Sequence, residues 1–252
     1  MKYLLKQKIG GEMMRIQFEF EITNLPLQYR LGILSIIKEM IRRGSEAYYE
    51  QTFQKNKRDM KPFAYSTYIQ NIKINNDEIT GDRLILTISS PFYEFIMYMM
   101  NGSQRLNVYR YKDYQFKLKH KRLLPKPPEF TDVVIFETAS PILIENKIGK
   151  PVLAEDETFE KEFNYYANLA VNEFHNRNLK EPIQIMECIM KKVVVKERLH
   201  QDIERDIYLT ANQGVLKLKG HPDDLKFLYD IGIGRRRALG FGLLNVKEVE
   251  YA

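Results

Sequence analysis

Pro125-Lys126-Pro127-Pro128 lies at the middle of the 252-residue chain and divides the sequence into two parts. Three prolines within four residues make a stiff connection that offers few amide donors to a strand ladder. The same order of strands and helices is predicted before and after this stretch. We therefore expect an N-terminal domain over 14–124, a proline-rich linker over 125–130 and a C-terminal domain over 131–252.

Before the prolines, the pattern predicts the order strand, helix, strand, strand, helix, strand. Polar and apolar residues alternate over 15–22, which is typical of a half-buried strand, and apolar residues at helical spacing follow over 33–41. The polar and basic stretch 54–61 is predicted to be a loop. The remaining elements are strands over 63–69 and 84–88, a helix over 92–100, and a hairpin over 106–111 and 114–123. This is the ferredoxin-like order.

After the prolines, the same order is predicted again. The elements are a strand over 133–144 interrupted by Pro141, a helix over 159–174, strands over 183–195 and 214–218, a helix from Pro222 to near Gly232, and a strand over 243–249. The sequence therefore predicts the α+β class, with two ferredoxin-like (RRM-like, βαββαβ) folds in tandem.

Charge and cysteine content narrow the functional classes. Lys and Arg number 39 and Asp and Glu 33, so the formal charge is +6, which favours an anionic partner such as nucleic acid. The single cysteine, Cys188, allows no internal disulfide and is compatible with a reducing compartment. No window of eighteen or more apolar residues exists, so we expect no membrane partner. Residues 1–13 lack the features of a signal peptide, and we expect the natural start at Met13 or Met14.

One segment near the C-terminus combines four glycines with three consecutive arginines. It reads Gly232-Ile233-Gly234-Arg235-Arg236-Arg237-Ala238-Leu239-Gly240-Phe241-Gly242. Glycines allow positive φ angles and a close approach of backbone amides to an anion. Arginine guanidinium groups match phosphate oxygens in a two-pronged contact. The segment therefore predicts binding of a phosphodiester backbone, and we expect all four glycines and all three arginines to contact RNA.

Three alternatives apply to this segment. The dinucleotide-binding fingerprint requires a strand before the glycines and a helix after them, whereas the predicted order here is the reverse. A phosphate-binding Walker loop requires Gly-Lys-Ser or Gly-Lys-Thr, which is absent. The third alternative is a helix-to-strand connection whose glycines serve the fold and whose arginines face solvent.

The glycine-rich segment resembles the C-terminal loop of the RAMP superfamily of CRISPR-associated proteins, and within it the Cas6 family, which processes CRISPR repeat RNA. Residues 214–220, with the short helix that leads into the loop, are similar to that family's final unit. The stretches 25–29 and 140–144 also resemble family motifs. The resemblance spans nearly the whole chain, and the glycine-rich loop is its most specific part. It implies tandem ferredoxin-like folds, in agreement with the order of elements.

The resemblance also implies an activity. Members of this family cleave RNA without a metal: the ribose 2′-hydroxyl attacks the adjacent phosphate and leaves a 2′,3′-cyclic phosphate. We therefore expect a metal-independent endoribonuclease that retains its product and needs no cofactor. The implied partners are CRISPR repeat RNA, other subunits of a CRISPR effector complex and a second copy of the chain as a homodimer. The implied location is the prokaryotic cytoplasm.

The family commonly places a histidine just after the first helix, and the present sequence has Tyr49 there, next to Tyr48. Lys55 falls where the family often has a lysine that stabilises the phosphate. Tyrosine, with an ordinary pKa of about 10, is a poor base at neutral pH. Either Tyr49 or Tyr48 acts with Lys55, Lys57 and Arg58, or the protein binds RNA without cleaving it. A basic scaffold that binds protein through its sheets is the third hypothesis.

Two further basic stretches are candidate RNA contacts. The first is the alternating strand with Lys119, His120, Lys121 and Arg122. The second contains Lys191, Lys192, Lys196 and Arg198 and corresponds to a hairpin that holds the repeat's stem in the family. Contacts to the backbone and to shape dominate recognition of double-stranded RNA. In both stretches the alternative is a solvated strand face.

Overall fold

Alternating strand patterns and two amphipathic helices build the N-terminal unit as the sequence predicts. The computed structural model describes residues 14–198 and 206–250. Five strands form an antiparallel sheet in the order β3-β6-β1-β8-β7. Their bounds are Met14–Glu21 (β1), Ala64–Gln70 (β3), Arg83–Ser90 (β6), Val108–Tyr111 (β7) and Tyr114–Leu123 (β8). Helices α1 (Arg30–Gly44) and α3 (Tyr93–Ser103) pack against each other over one face of this sheet.

A small second sheet was not predicted from the sequence. It has the order β2-β5-β4, formed by Asn24–Pro26 (β2), Lys73–Asn75 (β4) and Glu78–Thr80 (β5). Each strand has only three residues, which is too short for a polar–apolar alternation to stand out from its surroundings.

The loop predicted over 54–61 is wrong at its beginning. Helix α2 (Glu46–Tyr49) continues into a π-helical turn, Glu50–Lys55, and only then does the chain leave helical geometry. Ser45 begins α2, since its side chain accepts a hydrogen bond from the amide of Tyr48. Tyr48 and Phe53 are both buried, and their five-residue spacing fits the wider turn.

The C-terminal unit repeats the arrangement. Its antiparallel sheet has the order β10-β11-β9-β12. Counted along this unit, that is the second, third, first and last strand, which is the ferredoxin-like order and is also the order of β3-β6-β1-β8 in the N-terminal sheet. The strands are Val133–Thr138 (β9), Gln184–Arg198 (β10), Asp206–Lys219 (β11) and Leu244–Val249 (β12), and the helices are Phe159–His175 (α4) and Pro222–Ile231 (α5). The prediction of tandem ferredoxin-like folds is confirmed. The predicted leader over 1–13 lies outside the described residues.

Arg15 connects the two sheets. It lies on β1, is almost fully buried, and donates hydrogen bonds to the Asn245 side chain and the Tyr229 carbonyl. Its guanidinium carbon lies 3.4 Å from the centroid of the Tyr229 ring. Burial lowers the pKa of Arg15 to about 10, so the group remains charged at neutral pH. Within the described part of the chain, no helix combines the length and apolar character needed to span a membrane.

Candidate functional site

The glycine-rich loop, residues 232–242, lies between the two ferredoxin-like units. It follows α5 and leads into β12, and Arg237–Leu239 within it form a 3-10 turn. That turn packs against α1 and β3, and Ala238 contacts the N-terminal core. The order helix, loop, strand agrees with the sequence prediction. The loop thus belongs to the C-terminal unit by sequence and touches the N-terminal unit through its middle.

Two glycines of the loop touch backbone atoms of the protein. A Cβ atom on Gly234 would lie 2.5 Å from the carbonyl oxygen of Leu143, and one on Gly242 would lie 1.9 Å from that of Ile233. Both glycines have positive φ angles, 84° and 73°. Other residues rarely adopt such angles, so position and conformation both require glycine.

The remaining two glycines pack against β3. A Cβ atom on Gly232 would lie 2.7 Å from the Ala64 Cβ, and one on Gly240 would lie 2.7 Å from the Tyr65 ring. The sequence predicted that the four glycines of the loop contact RNA. We correct that expectation, because all four glycines are buried and the amides of Gly232, Gly240 and Gly242 already donate to carbonyl oxygens of the protein.

The three consecutive arginines have three different environments. Arg237 is buried and donates hydrogen bonds to the carbonyl oxygens of Ile231, at 2.6 Å, and Lys61, at 3.4 Å. Burial lowers its pKa to about 9, which leaves it charged at neutral pH. The prediction that Arg237 binds RNA is therefore corrected: its guanidinium fixes the loop to the end of α5 and to the N-terminal unit.

The other two arginines reach the surface. Arg235 is exposed and forms an ion pair with Glu145. Arg236 is half-buried, has a φ of 56°, and its pKa is lowered by burial. Of the three arginines in the glycine-rich loop, Arg235 and Arg236 are accessible to a phosphate.

An ion pair that the sequence did not reveal lies beneath the loop. Arg30, at the start of α1, donates to Glu197 of β10 at 3.0 Å, and both side chains are largely buried. The Arg30 guanidinium also lies over the Phe241 ring of the loop, 5.4 Å from its centroid. No local signal distinguished Arg30 from a surface arginine, because its partner is more than 160 positions away in sequence.

The two candidate tyrosines differ in accessibility. Tyr48 is buried, with its ring 5.1 Å from that of Tyr98, and burial raises the pKa of its hydroxyl. A hydroxyl in this position cannot reach an RNA substrate, which corrects the prediction for Tyr48. Tyr49 is half-buried, packs on Phe53 at 5.7 Å, and accepts a 3.1 Å hydrogen bond from the Gln54 side chain.

Basic side chains surround the end of the π-helical turn. Lys55, Lys57 and Arg58 are all exposed there. Lys38 of α1 was not selected from the sequence, where it is one of several polar residues on the outer face of an amphipathic helix. Its ammonium group lies 5.6 Å from the centroid of the Phe53 ring. Burial, and then the charge of Lys57, lowers the pKa of Lys38.

The basic stretch on β8 is divided between two faces of the sheet. Lys119 pairs with Glu21 at 2.6 Å. Lys121 lies on the helix-covered face and donates to the Ser103 hydroxyl at 3.0 Å. The others, His120 and Arg122, are exposed, and Arg122 donates to Gln17. A β-bulge opposite Glu19 and Phe20 shifts the register here, which the sequence pattern did not show.

The basic stretch on β10 also separates into two groups. Lys191 and Lys192 are exposed. Lys196 instead pairs with Asp77 of the N-terminal unit at 2.6 Å and with Asp206 at 3.1 Å, and Arg198 pairs with Asp206 at 3.5 Å. The prediction that Lys196 and Arg198 bind RNA is corrected to a structural role, since carboxylates already neutralise both.

Among the described residues, no histidine is found in contact with Tyr49. His175 packs edge-on against Phe227, and His221 begins α5 by accepting a hydrogen bond from the Asp223 amide. His120 lies on β8, and His200 is outside the described residues. In the described ranges, no group of three or more His, Cys, Asp or Glu side chains is arranged to hold a metal.

Two ferredoxin-like units in tandem, with a glycine-rich loop packed between them, define the class of RAMP proteins. A family model described as "CRISPR associated protein Cas6, C-terminal" matches residues 124–246. The chain is 27% identical over 251 residues to "CRISPR-associated endoribonuclease Cas6 1" of Methanocaldococcus jannaschii, with 94% of each chain covered. The chain is therefore similar to Cas6 proteins, through the family model over residues 124–246 and through this relative over nearly its whole length.

Solved structures agree with this assignment. A structure titled "CRISPR associated protein Cas6" superposes with a TM-score of 0.71 at 25% identity, covering 94% of this chain and 100% of the other. A second, titled "Characterization of a Cas6-related gene from Pyrococcus furiosus", gives a TM-score of 0.76 at 22% identity, with the same coverage. At 22% identity, the similarity to this second structure concerns the fold alone.

Proposed function

We propose that this chain is an endoribonuclease that processes CRISPR repeat RNA. The match to the Cas6 family model and the endoribonuclease name of the M. jannaschii relative, which matches along nearly the whole of both chains, support the proposal. The observation that carries it is the contact between the glycine-rich loop and the end of segment 46–61. Arg237 bonds to the Lys61 carbonyl, so the loop that distinguishes the family adjoins the segment that holds Tyr49 and Lys55.

The reaction needs a group that takes the proton of the 2′-hydroxyl and a cation that stabilises the charge of the phosphorane. Tyr49 is the proposed proton-transfer residue, and the hydrogen bond from Gln54 fixes the position of its hydroxyl. Lys55 is exposed at the end of the π-helical turn and is the proposed phosphate-stabilising cation. Attack of the 2′-oxygen on the adjacent phosphorus breaks the bond from phosphorus to the 5′-oxygen, which takes up a proton from water, and gives a 2′,3′-cyclic phosphate and a free 5′-hydroxyl. Positioning of the RNA then supplies much of the rate, because tyrosine is a weak base at neutral pH.

Several basic side chains that reach the surface are proposed to hold the RNA backbone. Among the described residues they form no ion pair, apart from Arg235, which lies against Glu145. We assign to this group Arg235, Arg236, Lys57, Arg58, Lys191, Lys192, His120 and Arg122. Lys119 is also exposed but shares its charge with Glu21. We further propose that the cleaved RNA stays bound and that other CRISPR effector subunits or a second copy of the chain join the complex.

Cleavage of repeat RNA in the presence of EDTA tests the proposal. An RNA with the CRISPR repeat sequence of the source organism is incubated with the protein, and the product ends are identified by mass spectrometry. We expect one cut with a cyclic phosphate end. No binding that weakens with salt, together with no cut, would contradict the proposal.

A second candidate is an RNA-binding subunit that does not cleave. The absence of a histidine in segment 46–61 favours it, because histidine is the side chain whose ordinary pKa suits proton transfer near neutral pH. Salt-dependent binding of repeat RNA without any cut in EDTA is the result expected from this candidate.

The role of Tyr49 is tested separately. We expect Tyr49→Phe to lower single-turnover cleavage roughly 100-fold or more while leaving affinity nearly unchanged. Tyr165→Phe, which removes the hydroxyl of a half-exposed tyrosine on α4, is the matched control and should cleave normally. Equal cleavage by both variants would remove Tyr49 from the site.

A further inference from the structure

Two ammonium groups lie near the ring of Phe53, and a third lysine acts electrostatically on one of them. Lys38 lies 5.6 Å and Lys61 6.0 Å from the ring centroid. Lys57 is close enough for its charge to lower the pKa of Lys38, and the charge of Lys38 in turn contributes to the lowered pKa of Lys61. These three residues come from α1 and from the chain just after the π-helical turn. We call them the lysine cluster.

Lys38 and Lys57 lack the acidic partners that other basic groups of the described residues have, whereas Lys61 is influenced by the nearby charge of Asp59. Lys119, Lys196 and Lys217 each lie within 3 Å of a carboxylate oxygen. Within 14–198 and 206–250, neither Lys38 nor Lys57 forms an ion pair, and burial and Lys57 are the influences acting on the pKa of Lys38. Like charges placed together without a counter-charge repel each other. The arrangement therefore favours an anion between them.

Lys61 is less available than the other two members. Its ammonium group donates hydrogen bonds to the backbone carbonyls of Asn56, Lys57 and Asp59, at 2.6, 3.2 and 3.0 Å. It therefore closes the turn after the π-helix and holds Lys57 in place. Lys38 and Lys57 keep their hydrogen-bonding capacity for a ligand, since no protein acceptor within the described ranges takes it up.

Lys38 also shares an aromatic support with Tyr49. The Phe53 ring lies 5.7 Å from that of Tyr49 and 5.6 Å from the Lys38 ammonium group. Phe53 is itself buried and packs on Phe63, so its ring is held firmly. A ring fixed in this way limits the positions of both the lysine and the tyrosine that pack against it, and cation–π attraction stabilises the partly desolvated ammonium.

We propose that Lys38 binds the phosphate at the cleavage position and stabilises the negative charge that develops there. The inference rests on the proposed function and adds a residue from α1 to the site formed by Tyr49 and Lys55. Lys57 binds the same phosphate or its neighbour. Lys38 stays protonated throughout, so its part is electrostatic and involves no proton transfer.

The experiment uses the full chain and a repeat RNA whose cut has been mapped with the native protein. In one version of the RNA, a neutral methylphosphonate replaces the phosphate at the cut. We expect this change to weaken binding to the native protein roughly tenfold, as the loss of a charge-assisted hydrogen bond does. The Lys38→Met variant should distinguish the two RNAs clearly less than the native protein does, by roughly threefold, because one of the charged contacts to this phosphate is already absent.

Single-turnover cleavage of the ordinary RNA is measured in parallel. We expect Lys38→Met to cleave roughly 10- to 100-fold more slowly than the native protein. Lys161→Met removes an exposed lysine from α4, in the other unit, and should bind and cleave like the native protein. If Lys38→Met melts far below the native protein, Lys38→Gln takes its place, because it keeps a polar end on a similar stem.

The outcomes separate the inference from the proposed function. A native protein that neither binds nor cuts the repeat RNA overturns the proposed function, and with it the inference. A native protein that cuts, combined with a Lys38→Met variant that still discriminates tenfold against the methylphosphonate, overturns the inference alone. A clear fall in that discrimination in Lys38→Met but not in Lys161→Met supports it.

Discussion

The glycine-rich loop and the lysine cluster each contain three cations, yet the protein uses them differently. In the loop, Arg237 is buried against two carbonyl oxygens and Arg235 is paired with Glu145. In the lysine cluster, Lys38 and Lys57 have no such carboxylate among the described residues. A basic motif in the sequence therefore shows where positive charge is concentrated. The neighbouring groups in the structure determine whether that charge stabilises the fold or is available to bind a ligand.

The position of each region explains the contrast. The loop lies between two units, where a charge must be paired or hydrogen-bonded because the cost of removing it from water is high. The lysine cluster lies at the end of a helical turn at the surface, where water offsets part of that cost. A surface cluster can therefore remain without a partner until an anion binds.

The largest expected effect concerns the packing of the loop. We expect Gly242→Ala to lower the free energy of unfolding by at least about 3 kcal/mol, since it adds strain at positive φ to a backbone clash. Gly149→Ala is the matched control: its φ is 78° and no atom lies within 4 Å of the added Cβ. It should cost about 1 kcal/mol. Equal costs in urea denaturation would show that the loop is not tightly packed.

Arg237→Met should give the next largest effect. We expect a loss of about 3 kcal/mol in the free energy of unfolding, because two buried carbonyl oxygens lose their charged donor. Under conditions in which the variant is folded, the slope of log affinity for RNA against log salt should equal that of the native protein. A clear fall in that dependence would indicate that Arg237 contacts phosphate, and the loop would then resemble the lysine cluster.

The third prediction concerns pH. Burial raises the pKa of Asp230, just before the loop, to about 7. Because the folded state holds this proton more tightly, the contribution of Asp230 to stability is complete at low pH and is lost as the pH rises through 7. Relative to Asp230→Asn, the native protein should lose about 2 kcal/mol between pH 5 and pH 7.

Asp59→Asn is the control for that measurement, because Asp59 is an exposed carboxylate beside the lysine cluster. Its stability should follow the native curve over the same pH range. Urea denaturation at each pH gives the free energies. A constant difference between the native protein and Asp230→Asn would refute the assignment to Asp230.

The smallest effect separates the accessible cations of the two regions. We expect Lys57→Met to reduce the slope of log affinity against log salt by about one, as for the loss of one phosphate contact. Arg235→Ala should reduce it less, because Glu145 already neutralises part of that charge. Stability should change by no more than about 0.5 kcal/mol in either variant. Equal reductions in slope would mean that Arg235 leaves Glu145 for the RNA.

The fold was predictable because its signals are local. Alternation in β1, apolar spacing in α1 and α4, and the proline-rich stretch gave the order of both ferredoxin-like units. The π-helical turn was missed, since basic residues over 54–61 suggested a loop while the buried Phe53 had an unfamiliar five-residue spacing from Tyr48. The three-residue strands of the small sheet gave no usable pattern.

The candidate site was only partly predictable. Their positions after the first helix indicated that Tyr49 and Lys55 belong to the site, and both assignments remain proposals. Tyr48 and Arg237 were selected by residue type, but their burial depends on the packing of distant segments. Lys196 and Arg198 were selected in the same way, and their carboxylate partners include Asp77 of the other unit.

The sequence by itself determined the class of fold, the order of elements in its two units and the resemblance to Cas6 proteins, because each follows from residue type and spacing along the chain. Only the tertiary structure decided which cations are neutralised and which are exposed. It showed that the glycines of the loop are packing positions, and it placed Lys38 and Tyr49 against the same ring, that of Phe53. The physical reason is that burial and electrostatic partners come from residues far apart in sequence, which no local pattern contains.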